Sequence, residues 1–592
     1  MISKSVFEGC RLRPVYTILL LLIAVFGGCG HGYTQIALSG AGGSGVSAGP
    51  QYYFSSSIGS DSNNCLTEQT PCQTISHANS LIYPDNATIA FLAGDTFTLT
   101  SALTLRGANS GRTQNAMGAI NLTSYGGTGV CNVIAGNNAG CATFQVSGSL
   151  AGAILVNSIS NFAIRNIRLL GGTAAALGFE TGYGIQYYNS SGTQSGVIIQ
   201  NIETEDFSTG IYVQLKSGSL SNVSLLDNRV HGSILTSTDD KGIWVRFGVS
   251  NVTVQGNLVE NIGGHASGAY SGGSGNGILF ADGVDGALDQ FNVTRNSGAN
   301  ITTCGGPVGN WAYDSTNITI QFNESYGNHP SSYTSGCDWD GFDLDAGVSN
   351  SVLQYNYSHG NFGSGYVAYM NAVGGHAWQN NAIRYNISEN DSSSSSQGAV
   401  SFNGGPSSNS GVYNNTIYTH STSASSASQA YCLNMFSTTT IVFANNICYN
   451  DNGNIFVYTN GTAAVLNGND YYRAGRVPSV SWVWGSGAGR TLYSSFAAYQ
   501  TGSGQDANGV ITNPSLTSVG SGGTCYSSGT PIGPQPCPRN YVLQPGSAMI
   551  GAGLNLTQAP YSLSVGTRDY YGNAIPHGVG SGYNIGSDGG NP

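Results

Sequence analysis

From about residue 155 onward the chain alternates short apolar-polar runs with turn-forming stretches, and the runs come in two kinds. The first has apolar residues at every second position and ends on an asparagine, as in SNVTVQGN, STNITIQFN, SNSVLQYN and TTIVFANN. A period of two places one side of each run against a core. The closing asparagines are Asn166, Asn201, Asn228, Asn257, Asn292, Asn323, Asn356, Asn386, Asn415, Asn446 and Asn469, spaced 23 to 35 residues apart. A recurring interval of that size is one turn of a solenoid. Stacking the turns brings these amides into register, each donating to one neighbour and accepting from the other, which accounts for a polar residue at an inward-facing bend. Asn323, Asn356 and Asn386 also open Asn-x-Ser/Thr triplets. A buried ladder side chain is a poor glycan acceptor, so the ladder role is expected to prevail.

The second kind of run opens on a small residue: GIQYY (184–188), GIYVQ (210–214), GIWVR (242–246), GILFA (277–281), GFDLD (341–345), GYVAY (365–369) and GAVSF (398–402). Residues two and four of each are expected to face the core, and residues three and five to face outward. The outward column then reads Gln186 and Tyr188, Tyr212 and Gln214, Trp244 and Arg246, Leu279 and Ala281, Asp343 and Asp345, Val367 and Tyr369, Val400 and Phe402, with Trp311 and Tyr313 added from NWAYD.

These patterns predict an all-β chain folded as a single right-handed parallel β-helix. Leucine-rich repeats need a Leu spacing that is absent, and a propeller needs longer blades. The expected organisation is an export segment over 1–29, an irregular cap with the first turns over 50–154, the main repeats over 155–475, and a closing segment over 476–592. YYFSSSIGSDSNN and TPCQTISHANSL near the start, with NYVLQPGSAMIGAG and GTRDYYGN near the end, resemble exported bacterial members of the pectin-lyase-like superfamily of right-handed parallel β-helices. The resemblance spans roughly residues 50 to 590 and implies the fold. It does not carry catalytic residues across, because Thr238-Asp239-Asp240 is only a fragment of the polygalacturonase pattern and the arginine and proline signature of pectate lyases is missing.

Composition narrows the partners. Only 8% of the 592 residues are charged and the net charge is −11. With no cluster of Lys and Arg to neutralise phosphates, nucleic acid is excluded. Arg11 and Arg13 precede an apolar run from Val15 to Phe26, the layout of a secretory signal and short for a membrane span. Phe26-Gly27-Gly28-Cys29 resembles a lipoprotein cleavage box, with Phe26 where Leu is usual, so lipidation at Cys29 and soluble secretion both stay open, and any membrane contact is expected only through that lipid. Ten further cysteines fall into neighbouring pairs: Cys65/Cys72, Cys131/Cys141, Cys304/Cys337, Cys432/Cys448 and Cys525/Cys537. They lack zinc-site spacing and are expected to form local disulfides in an oxidising compartment, periplasmic, cell-surface or secreted.

Candidate chemistry centres on CDWDGFDLD, which gathers Asp338, Asp340, Asp343 and Asp345 in one turn. Carboxylates this close repel unless a proton, a cation or a substrate offsets their charge. An aromatic stripe of Tyr212, Trp244, Trp311, Tyr313 and Tyr369 beside them suits a polysaccharide. Three functions remain open. The first is a glycoside hydrolase with Asp343, Asp345 and Asp340 as catalytic acid and base, and Lys241, Arg246 and His359 orienting substrate. The second is a polysaccharide lyase whose four aspartates hold calcium, with Lys241 or Arg246 abstracting the proton. The third is a non-catalytic glycan-binding or structural surface protein. His231, His265, His329, His376 and His420 follow repeat strands and are expected to be ordinary solvated or hydrogen-bonded side chains.

Overall fold

The computed structural model describes residues 49–592 apart from 149, 173–181, 233–239, 266–272, 303–305, 332–337, 393–396, 421–430, 438, 453–454, 528–535, 577–581 and 589–592. The expected export segment with Cys29, and the expected Cys304/Cys337 pair, lie outside the described residues.

The chain is a single right-handed parallel β-helix. Each turn supplies three strands, for example Ser250–Gln255, Leu258–Glu260 and Asn276–Ala281, and the next turn repeats them as Asp285–Gln290, Val293–Arg295 and Val308–Tyr313. Corresponding strands pair in parallel, Val252 with Ala287, Val259 with Thr294 and Ile278 with Asn310. The first two strands of each turn belong to a continuous 25-stranded sheet system, and the third to a 14-stranded sheet. Parallel stacking begins at Gln51–Phe54, which pairs with Ala87–Leu92.

Inward positions form one core along the axis. Ile243 and Val245, Ile278 and Phe280, and Phe342 and Leu344 enter it from the third sheet, and Val252, Val254, Ile318 and Ile320 from the first. Burial of such side chains contributes roughly 1.5–3 kcal/mol each. A polar island interrupts this core. Asn310 takes an inward position and donates to Asp289 at 2.8 Å, and burial pushes the Asp289 carboxyl up to about 7.

At the corner between the first two strands the asparagine ladder forms as expected from Asn228 onward. The side-chain amides donate to the next Oδ1, at 2.9 Å for Asn228 to Asn257, 3.1 Å for Asn356 to Asn386 and 3.0 Å for Asn386 to Asn415, except at Asn292, whose amide donates to Asp289 while its backbone N–H donates to Asn323 Oδ1 at 2.8 Å. The series ends with Asn469 donating to the Asp506 carboxylate at 2.8 Å. Asn166 and Asn201 do not belong to it. They adopt left-handed backbone, φ 60° and 54°, and occupy the bend one residue earlier, where Asp227 stands in the following turn. The ladder position itself then falls to Ile202, whose N–H donates to Asn228 Oδ1. Phe291, Phe322 and Tyr355 fill the same left-handed bend in later turns, with φ of 56° to 58°. Their rings stack at 5.2 and 5.1 Å, which offsets a backbone strain of about 1–2 kcal/mol each.

Asn323, Asn356 and Asn386 are no more than 2% exposed, and their amide nitrogens are already donors within the ladder. Produced in a glycosylating host, the protein is expected to carry no glycan at these three triplets. Peptide mass mapping checks this, and occupancy at any of them in folded protein would contradict a buried ladder.

The C-terminal segment has two parts. Trp482–Trp484 pairs antiparallel with Thr491–Tyr493, and the helix Phe496–Ser503 lays Phe496 and Tyr499 on the end of the core. The chain then turns back along the flank. Its backbone N–H groups at Cys525 and Tyr526 donate to Glu324 at 2.8 and 2.9 Å, Gly522 donates to Glu389, Arg568 lies over Phe322 and Tyr355, and Gly586 donates to Asn445 O at 2.8 Å.

Disulfides join Cys65 to Cys72, Cys131 to Cys141, Cys432 to Cys448 and Cys525 to Cys537. Bonds of this kind persist in an oxidising compartment, which fits a protein working outside the cytoplasm. Among the described residues no helix is long and apolar enough to cross a membrane.

Candidate functional site

Every small-residue-led run lies in the third sheet, and the pairing carries one outward column along it: Tyr212 beside Trp244, Trp244 beside Leu279, Leu279 beside Trp311, Trp311 beside Asp343, and Asp343 beside Val367. In the strand Asp340–Leu344 the apolar Phe342 and Leu344 enter the core, so Asp343 and the following Asp345 are turned outward. Just before it, Asp338 and Trp339 both adopt left-handed backbone, φ 58° and 60°. Fully buried Trp339 anchors that bend by donating its indole N–H to Gly298 O at 3.0 Å. The bend brings Asp338 and Asp340 to the same place as the strand's own carboxylates.

The four aspartates line one cleft of about 540 Å³, shared with Val367, Tyr369, Gln397, Ser401, Asn403 and Phe436. Three of the four accept backbone hydrogen bonds. Asp338 accepts from Gly306 N at 2.7 Å, Asp340 from Ser364 N, and Asp345 from Ala346 N at 2.6 Å. Asp343 differs. It is 6% exposed, and its buried Oδ1 has no hydrogen-bond partner among the described residues. Burial, reinforced by the charges of Asp345, Asp340 and Asp338, raises its carboxyl well above the usual range. Burial also raises Asp340, with Asp338 adding to the effect, and pushes half-buried Asp345 up to about 7 against the opposing Ala346 N–H. Neighbouring carboxyls raised by burial and by one another's charge are the groups that acid-base chemistry draws on.

Several expected participants stand elsewhere. Tyr212, Trp244 and Trp311 are only 3–5% exposed and pack with Tyr183, Leu279 and Val308, Tyr212 and Trp244 stacking at 4.7 Å. The open aromatic stripe therefore does not form, because these faces cover one another. Tyr313 and Tyr369 stay half-buried. Arg246 pairs with Asp282 at 2.7 Å and stacks on Trp244. Lys241 is fully buried, with its ammonium 4.4 Å above the Trp244 ring. Both lie three strands from the aspartates, roughly 14 Å at the usual strand spacing. His359 belongs to the strand Tyr357–His359 in the second position of its turn, where it bonds Glu324 at 2.9 Å and stacks between Tyr326 and Tyr357. It does not reach the cleft.

Val400 and Phe402 face the core, not the outside. Tyr366 pairs with Val400 and Val367 with Ser401, so Ala399 takes the place assigned to Gly398. The slip turns Ser401 and Asn403 outward, and these two, with Gln397 and Phe436, are the cleft residues that sequence reasoning missed. The two groups of three ligand-bearing side chains drawn within 4.8 Å among the described residues lie elsewhere, at Cys65, Cys72 and His77, where both cysteines are in a disulfide, and at Glu203, Glu205 and His231.

No protein-family model matches the chain, and no curated protein sequence matches it. Among solved structures it is similar to the GH136 lacto-N-biosidase from Eubacterium ramulus, at 14% identity over 72% of this chain and 64% of that one, TM-score 0.44. It is also similar to pectate lyase Pel9A, at 15% identity over 92% of this chain and 98% of that one, TM-score 0.34. A third is the catalytic domain of a GH87 α-1,3-glucanase, at 14% identity over 60% of each chain, TM-score 0.33. The chain spans 64% of the length of the lacto-N-biosidase. Likenesses this distant assign no activity.

Proposed function

We propose that this protein is an extracytoplasmic glycoside hydrolase acting on a polysaccharide at the aspartate cleft. The observation that carries the reading is Asp343, a buried carboxyl pushed toward its neutral form with an oxygen that no group among the described residues satisfies. In the proposed reaction Asp343 gives its proton to the glycosidic oxygen as that bond breaks. Water adds to the anomeric carbon, and its proton passes to Asp345. Asp343 lies in the strand and Asp345 just past its end, and at the usual rise of extended chain their side chains stand roughly 6–7 Å apart. That falls at the lower edge of the range in which inverting glycosidases fit a water between acid and base.

The lyase reading requires a base beside the cleft. The two candidates, Lys241 and Arg246, are held at Trp244 and Asp282 instead. Asp340, engaged by Ser364, is left to tune the charge of its neighbours.

A screen against polysaccharides, scored for new reducing ends and for ultraviolet-absorbing unsaturated ends, with and without chelator, tests the proposal. Reducing ends without unsaturation, insensitive to chelator, are expected. Unsaturated ends lost with chelator would turn the assignment to the calcium lyase. Because Asp345 must ionise to accept a proton, kcat/KM is expected to rise as pH passes through about 7 and to fall when Asp343 loses its proton. A profile already flat at pH 5 would show that the raised carboxyls play no part in turnover.

A further inference from the structure

We infer that the cleft takes a glycan of uncharged sugars and rejects uronate or sulfated polymers, an inference that rests on the reading of the cleft as a glycan site. Among the described residues its walls carry four carboxylates and no basic side chain. The deficit is written into the chain. Between Arg295 and Arg473 the sequence holds a single Lys or Arg, Arg384, against ten Asp and Glu. Arg384 is buried on the first strand of its turn, where it donates to Gln354 at 3.0 Å and to Ser564. No rearrangement of the segments between those two arginines can bring a second guanidinium or an ammonium to the site.

Recognition of a sugar carboxylate or sulfate draws on Arg or Lys, singly or in bidentate pairs. Here the same substrate would meet carboxyl groups instead, with no cation to offset its charge and repulsion from each of them that ionises. Arg229 and Arg295, on the second strands of their turns, are both paired with buried Glu260 of the same strand column.

The remaining cleft groups are suited to hydroxyls and C–H faces. Asn403 uses its Oδ1 to accept from Gly404 N at 2.8 Å, which leaves its amide N–H groups as donors. Asp343 offers its unsatisfied oxygen. Phe436, 38% exposed, and half-buried Tyr369 present ring surface to sugar C–H groups.

Affinity electrophoresis of the full chain through gels of neutral glucans, galactans and mannans, and through polygalacturonate and alginate, tests the inference. Each gel is run at low and high salt, with calcium and with chelator. Wild type and Asp343→Asn are run side by side, so that binding is read with and without turnover and does not depend on the variant folding. At least one neutral polymer is expected to retard the protein, at least about tenfold more strongly than either uronate polymer. The retardation should change little with salt. Asn403→Ala is expected to weaken it several-fold. Retardation by a uronate polymer at equal or greater strength, with calcium or without it, would overturn the inference and leave the glycan-site reading standing. Neither retardation nor cleavage on any polymer would remove both.

Discussion

Asp343→Asn is expected to lower hydrolysis about a thousand-fold, within the range a positioned general acid supplies, while the protein stays folded. The substitution keeps the size of the side chain and removes the transferable proton. It should also change how stability varies with pH. In the folded protein the carboxyl is raised, so between the ordinary carboxylate range and the folded value the folded state holds more protons than the unfolded chain. Stability from this group is therefore complete at low pH and declines as pH rises through the folded value. The variant should lose that part of the decline and be at least as stable as wild type on the alkaline side. Thermal melts across pH, paired with reducing-end assays, separate the two effects. A variant that retains more than a tenth of wild-type turnover would mean that the proton comes from elsewhere.

Asn386→Ala carries the largest expected cost in stability. Its amide donates to Leu353 O and Asn415 Oδ1, both at 3.0 Å, and its Oδ1 accepts from the backbone and side-chain N–H groups of Asn356 at 2.9 and 3.1 Å. Truncation strands buried donors and acceptors on both neighbouring turns at about 1–3 kcal/mol each. Water entering the space recovers part of this, leaving a net loss of about 4 kcal/mol. That is a large share of the 5–15 kcal/mol by which domains are typically stable. Asn386→Asp should cost a similar amount, because it keeps the acceptor but loses both donors and buries a charge. A shift in denaturation free energy below about 1 kcal/mol for the alanine variant would show that the ladder is incidental to the stack.

The repeat could be read from the chain because its two signals are local. Alternation identifies which side of a strand is apolar, and the asparagine marks the corner, so the parallel β-helix and the outward placement of Asp343 followed from residues a few positions apart. What escaped depends on neighbours distant in sequence. Alternation shows that Tyr212, Trp244 and Trp311 leave the core, but not that they then bury one another. A one-residue slip reverses a whole strand, and Ala399 is nearly as small as Gly398, so Ser401 was mistaken for an inward residue and Val400 and Phe402 for outward ones. Asn166 and Asn201 matched the marker in identity and missed it by one place, because asparagine also tolerates the left-handed bend. His359 was drawn to the cleft by proximity in sequence, when the second strand of a turn and the third face different ways.

The returning tail changes how the stack can come apart. In a linear array of repeats each unit holds only its neighbours, so fraying starts at a terminus and travels inward one repeat at a time. Here Glu324, Glu389 and Asn445, spread over several turns, are fastened to one strap. Peeling the last turn alone would leave that strap attached further back, so the C-terminal turns must open together, and the cleft beside Asp343 inherits the rigidity of a cooperative block.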